Sequence, residues 1–262
     1  MIPKEHGAWA VLCTPMLVGA IAAGRCTVEF ALLTISALGV FMSYVPVRTI
    51  LRHMFIQPQP ALKLHQASVW STVYLGVGVL FIIPLLAQGF LLLLALGVPG
   101  VTSFVGNFLL TRRFPKTIPS ELLAVAGLTL GAPGAYYVIS GSMGMTAFFL
   151  WLLNFLFFGC SVFYVHMKIR GSSAKKPGFP MEERLSIGKL NLLYHLAVLF
   201  LVAVLSVAHY TPQFAVLAFV PMALHAVYGT CTLSSRVRFK NIGLLLLGHC
   251  LMFAVLLGFL YA

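Results

Sequence analysis

VWSTVYLGVGVLFIIPLLAQ, residues Val69–Gln88, is a run of 20 residues without Asp, Glu, Lys or Arg. A helix that crosses the ~30 Å hydrocarbon core of a bilayer at about 1.5 Å per residue needs a run of this length. Comparable apolar runs recur at Trp9–Gly24, Val28–Val47, Phe90–Leu110, Glu121–Ser140, Met145–Met167, Leu190–His209, Pro212–Cys231 and Ile242–Tyr261. Together they predict an all-α polytopic membrane helix bundle of about nine transmembrane helices, forming one integral membrane domain over residues 1–262. Composition agrees. The chain is 60% apolar, its mean hydropathy is +1.00 and only 8% of its residues are charged, against about 25% in soluble domains. The first apolar run is preceded by only Lys4, so a cleavable leader is not expected.

Working outward from the spans, the connections alternate in character. Basic residues follow the second, fourth, sixth and eighth runs: Arg48, Arg52 and Lys63; Arg112, Arg113 and Lys116; Lys168 through Lys189; and Arg236, Arg238 and Lys240. The other connections are short polar turns such as Gly141-Ser142. Of 17 Lys and Arg, only Arg25 falls on the opposite side of this threading. Short Lys/Arg-rich loops stay in the cytoplasm, which predicts a cytoplasmic N-terminus and an external C-terminus. The net charge of +12 then meets anionic lipid at the membrane surface, and no nucleic-acid partner is expected. The segment around 168–189, with Gly171-Ser172-Ser173 and Pro177-Gly178, reads as the longest loop. Glu182 and Glu183 fall in it as solvated acids. The five cysteines are scattered without a CxxC pair, so neither a disulfide frame nor a zinc site is expected.

Candidate chemistry concentrates at the basic side. Pro3-Lys4-Glu5-His6-Gly7-Ala8-Trp9 joins an acid, an imidazole and an interfacial indole. Glu5 and His6 are candidate proton carriers and Trp9 a ligand contact; equally, Trp9 reads as a belt residue and Glu5 as a helix N-terminal acid. Glu121 follows Ser120, which reads as an N-cap, so it is either a first-turn acid, an ion-pair partner of Arg112, or catalytic. Polar groups inside spans are costly and face bundle interiors. His166, His195, His225 and His249, with Asn107, Asn154, Tyr164 and Tyr194, all fall in the basic half of their spans, which suggests a polar cavity open to that side. Arg48, Arg52, Arg112, Arg113, Lys168 and Arg170 would ring its mouth. Guanidinium groups bind phosphate in a bidentate fork; the same residues equally serve topology and lipid attraction. Paired histidines could ligate haem, although no HxxxH spacing is present. The sequence alone assigns no cofactor.

With these residues in view, the chain resembles the YwiC-like family of bacterial integral membrane proteins. The likeness rests on Pro3–Trp9, on Asn107 with Arg112-Arg113 and Glu121-Leu122-Leu123, and on Lys240-Asn241-Ile242-Gly243. It implies a bacterial inner-membrane location. More distantly, the helix count and loop layout resemble the UbiA-type intramembrane prenyltransferases, which implies a UbiA-like architecture with active-site loops after helices two and six. That family holds magnesium there with aspartates. Here those places carry Arg48-x3-Arg52-His53 and Tyr164-x-His166-x-Lys168-x-Arg170, and the chain contains no Asp. Magnesium needs oxygen ligands, so the resemblance carries layout and not metal chemistry. Three functions stay open: binding of an anionic lipid or isoprenoid-type ligand without Mg²⁺, permeation of a small anion, or a respiratory accessory role binding haem or quinone. Whether the protein is an enzyme is left undecided.

Overall fold

The structure is a computed structural model. It describes residues 1, 3, 6–113, 117–174 and 178–261, and only the backbone of His6 and Arg113. The described residues form ten α-helices and one 3₁₀ turn, with no strand: α1 (His6–Ala22), α2 (Val28–Phe55), α3 (Ala61–Ala87), α4 (Leu92–Arg113), α5 (Ile118–Leu128), α6 (Gly131–Ser140), α7 (Met145–Ser173), α8 (Met181–Val207), the turn Ala215–Ala218, α9 (Val220–Cys231) and α10 (Phe239–Tyr261). Seven stretches are long and apolar enough to cross a membrane, with α5 and α6 counted together. Large apolar side chains on the outer faces, such as Leu80, Leu196, Phe200, Val255 and Phe259, are exposed. A belt of that size is stable only against hydrocarbon. The protein is a multi-pass membrane bundle.

All nine apolar runs correspond to structural segments, but two are not continuous helices. The run Glu121–Ser140 is split into α5 and α6. Pro133 has no N–H to donate and its ring crowds the carbonyl four residues back, that of Thr129. The chain tightens there through i−3 bonds, Leu130 N to Gly127 O and Ala132 N to Thr129 O. The run Pro212–Cys231 is α-helical only from Val220, with Pro221 in the first turn, where its missing N–H costs no ladder bond. Its outer half is instead a corner. His209 ends α8 at φ 59°, and Ser206 and Thr211 share a 3.1 Å hydroxyl bond.

The basic connections differ more from expectation. α2 continues eight residues past Val47 to Phe55, α3 begins at Ala61 rather than Val69, α7 continues to Ser173, and α8 begins at Met181 rather than Leu190. Arg48, Arg52, Lys63, Lys168, Arg170, Glu182 and Glu183 therefore lie on helices, not in loops. Apolar periodicity stops where hydrocarbon stops; Arg, Lys, Leu, Met and Glu are good helix formers and carry the helix onward. The α2–α3 turn is closed by His53 Nδ1, which accepts from Gln59 N at 3.0 Å.

Two packed groups make up the interior. In the first, α1, α2, α3 and α6 share Leu12, Met16, Phe41, Leu85 and Ala135. α2 and α3 approach so closely that a Cβ on Gly39 would stand 2.8 Å from Gly78 N and Tyr74 O, and Ser36 Oγ donates to Gly78 O at 2.8 Å. Small residues and polar bridges of this kind hold helices together in lipid. In the second group α7 is central, packed by α8, α9 and α10 around Phe157, Phe219 and Phe253. α1 touches both groups through α6 and α10.

Candidate functional site

The basic ends of α2 and α4 come together. Arg112 Nη2 on α4 donates to the Phe55 carbonyl, the last residue of α2, at 2.8 Å. That bond ties Arg112 to the end of α2, the helix that also carries Arg48 and Arg52, four residues apart on one face. Arg48 Nη1 donates to Tyr44 OH at 3.4 Å and its guanidinium sits 5.9 Å from that ring. Tyr44 packs edge-on against Phe104 of α4 at 5.7 Å. Deeper on α2, Phe41 meets Trp9 edge-on at 5.1 Å, and Trp9 Nε1 donates to Pro3 O at 3.3 Å. Among the described residues, no carboxylate pairs with Arg48, Arg52 or Arg112. Glu5 and the side chains of His6 and Arg113 lie outside the described residues.

Glu121 is placed by a capping box in which Thr117, not Ser120, is the N-cap. Thr117 Oγ1 accepts from Ser120 N, and Ser120 Oγ accepts from Thr117 N. Glu121 turns away from Arg112 toward α7: Oε2 lies 3.2 Å from His166 Nε2. The two are close enough to attract, but the ring N–H is not aligned as a hydrogen bond, so the contact is electrostatic in character. Asn107 is buried and donates to Ser120 O at 2.6 Å, tying α4 to α5. Asn154 is fully buried and donates to Leu150 O at 2.8 Å, while its Oδ1 meets no partner.

The second assembly lies among α7, α8, α9 and α10. Lys168 does not join the ring of cations at the mouth. Its chain is buried, Nζ donates to Gly229 O at 2.7 Å, and the ammonium sits 5.3 Å from the Tyr164 ring. On the same level Asn191 Nδ2 reaches Thr230 Oγ1 at 3.4 Å and Met167 Sδ at 3.6 Å. One turn deeper, His195 Nδ1 bonds to Asn191 O at 2.8 Å, and His225 Nε2 to Tyr164 OH at 2.8 Å. His249 of α10 packs against His225, ring centroids 5.0 Å apart. Direct ring contact leaves no space between them for a porphyrin. Among the described residues, no group of three His, Cys or Glu converges as a metal site.

A small crevice on the basic side is lined by Ile118, His166, Met167, Arg170, Ile187 and Asn191. It is narrow, and of the polar residues singled out from the sequence it takes in His166 and Arg170. Asn191, Thr230 and Arg184 are the polar residues that sequence reading passed over. Arg184 donates to Cys231 O and so ties the start of α8 to the end of α9. The signal for Asn191 was its i, i+4 spacing with His195 inside the run Leu190–His209.

The family model for the YwiC-like protein matches residues 2–136. The chain belongs to the YwiC-like family. The match takes in the N-terminal motif, Arg48, Arg52, Arg112 and Glu121, and stops before α7; the segment Lys240–Gly243 lies beyond it. No curated protein and no solved structure matches the chain. The likeness to UbiA-type prenyltransferases accordingly rests on helix count and layout alone.

Proposed function

We propose that this YwiC-like protein binds an anionic amphiphile, a lipid or isoprenoid-type anion, at the joined ends of α2 and α4, and that protein cations rather than magnesium meet its charged head. The observation that carries this reading is the Arg112–Phe55 bond. It holds Arg112 against the end of the helix that carries Arg48 and Arg52, and no described carboxylate pairs with them. Guanidinium forks suit phosphate or carboxylate oxygens. Beneath them Tyr44, Phe104, Phe41 and Trp9 offer aromatic surface at the depth where an apolar tail begins. We assign this end to the cytoplasm of a bacterial inner membrane, with the C-terminus external, from the side on which Lys and Arg accumulate.

Native mass spectrometry of gently extracted protein tests the binding. The expected result is a retained anionic species that survives EDTA and is lost in Arg48→Gln/Arg52→Gln/Arg112→Gln. Equal retention of bulk phospholipid alone by both proteins would overturn it. Anion uptake by vesicles that depends on the same arginines would replace binding by permeation. Orientation is tested by membrane-impermeant labelling of single cysteines placed at Ser142 and Arg112; reaction from the same side of the membrane would reverse the assignment.

A further inference from the structure

The second polar assembly has a property of its own: two of its buried, unpaired atoms, His195 Nε2 and Asn191 Oδ1, accept hydrogen bonds. His195 bonds through Nδ1 to a carbonyl oxygen, which can only accept, so Nδ1 carries the hydrogen and neutral His195 presents a bare Nε2. That atom is buried without a partner, on a residue only 4% exposed. Asn191 is 1% exposed and spends its amide hydrogens on Met167 and Thr230, leaving Oδ1 unpaired. Thr230 in turn donates to Ala226 O at 2.8 Å, so its oxygen is the acceptor toward Asn191. His249 Nε2 is also buried and unpaired. A bare phosphate or carboxylate brings only acceptors and satisfies neither His195 Nε2 nor Asn191 Oδ1. Water can donate to both, and the imidazole nitrogen can also take a proton.

Asn191 lines the crevice at the basic end and its carbonyl holds His195. Farther in, His195, His249 and Lys168 all lie near enough to His225 to act on its charge. The groups facing His225 are Tyr164 and Lys168 from α7, His195 from α8, Tyr228 on its own helix and His249 from α10. None is acidic. One to two turns deeper lies a layer of Phe157, Phe219 and Phe253, each at most 2% exposed, with Phe157 and Phe253 stacked at 3.9 Å; Asn154, one turn farther along α7, is buried as well. Val202 of α8 is fully buried in the same core.

We infer that Asn191, His195, His225 and His249 form a proton-holding site that communicates with the basic end of the bundle and is sealed from the opposite face by Phe157, Phe219 and Phe253. A proton arriving on crevice water binds the Nε2 lone pair of His195. The step moves a proton alone, with no electron transfer and no co-reactant. Imidazoles are the side chains suited to this between about pH 5 and 8.

Two measurements on the full chain in vesicles test it. First, ¹⁵N-histidine solid-state NMR of the wild-type protein reads protonation of each ring nitrogen between about pH 5 and 8. The expected result is a change at His195 Nε2 that is slowed or lost in Asn191→Leu. Second, pyranine-loaded vesicles report proton flux under a valinomycin-set potential. Wild type is expected to be tight, Phe253→Ala to leak, and Phe253→Ala/His195→Leu to be tight again. A leak unaffected by His195→Leu would overturn the inference, as would His195 imidazole signals that do not move across the pH range. If Phe253→Ala does not fold, the wild-type NMR titration decides alone.

Discussion

The first six helices and the last four use the same kind of residue in opposite ways. In α1–α6 the interior is apolar and closely packed, helix backbones meet at Gly39 and Gly78, and the arginines stand outside at the protruding ends of α2 and α4. In α7–α10 cations and imidazoles are drawn inward, and Lys168 is held by a backbone carbonyl across a helix interface. Both sets of basic residues lie at one end of the bundle and both obey the positive-inside pattern. A charge near a span end can thus stand as a surface cation or as a structural donor, and hydropathy does not separate the two. The family match falls on the first region, so membership speaks to the guanidinium cluster and leaves the histidine cluster to be argued from its own geometry.

The contrast can be broken most forcefully at the α2–α3 contact. Gly39→Leu forces a side chain against backbone that cannot yield, and a loss of about 3 kcal/mol is expected, read as a lower thermal midpoint in detergent. An unchanged midpoint would mean that the two helices separate freely. In the second region, Lys168→Ala leaves the Gly229 carbonyl without its donor and should cost about 2 kcal/mol in the same assay. A neutral outcome would return Lys168 to the surface class. Thr117→Ala removes the cap that orients Glu121 toward His166 and is expected to cost about 1 kcal/mol. Smallest in stability is Arg52→Gln, within about 0.5 kcal/mol of wild type. Its effect should appear instead as weaker, less salt-sensitive retention of anionic lipid in vesicle flotation. If Arg52→Gln destabilised as strongly as Lys168→Ala, the distinction between the two regions would fall.

Much of the bundle was legible in the chain, because twenty uncharged apolar residues admit few other fates. What escaped was where helices end. The threading stopped α2 at Val47 because Arg48 follows, yet an arginine on a helix outside the hydrocarbon costs nothing, and the helix runs on to Phe55. Pro133 was visible, but the break beside it was hidden inside a strongly apolar run, as was the late helix start at Val220. The site was legible as a set of residue types and not as a set of pairs. Glu121 with His166, Lys168 with Gly229 and His225 with Tyr164 join residues 45 to 61 positions apart. Periodicity carries no information over such separations without knowing which helices touch.

The length of α2 has a further consequence. Its 28 residues span about 42 Å, so roughly 12 Å of rigid helix stands beyond a hydrocarbon core of ~30 Å. Braced by α3, that overhang works as a fixed pylon. By the same rise Arg52, three residues before the end, stands roughly 7 Å past the acyl chains, at the depth of the headgroups. At that height its charge responds directly to the leaflet's surface potential. The tip of the hairpin is thereby a gauge of how anionic the leaflet beneath it is.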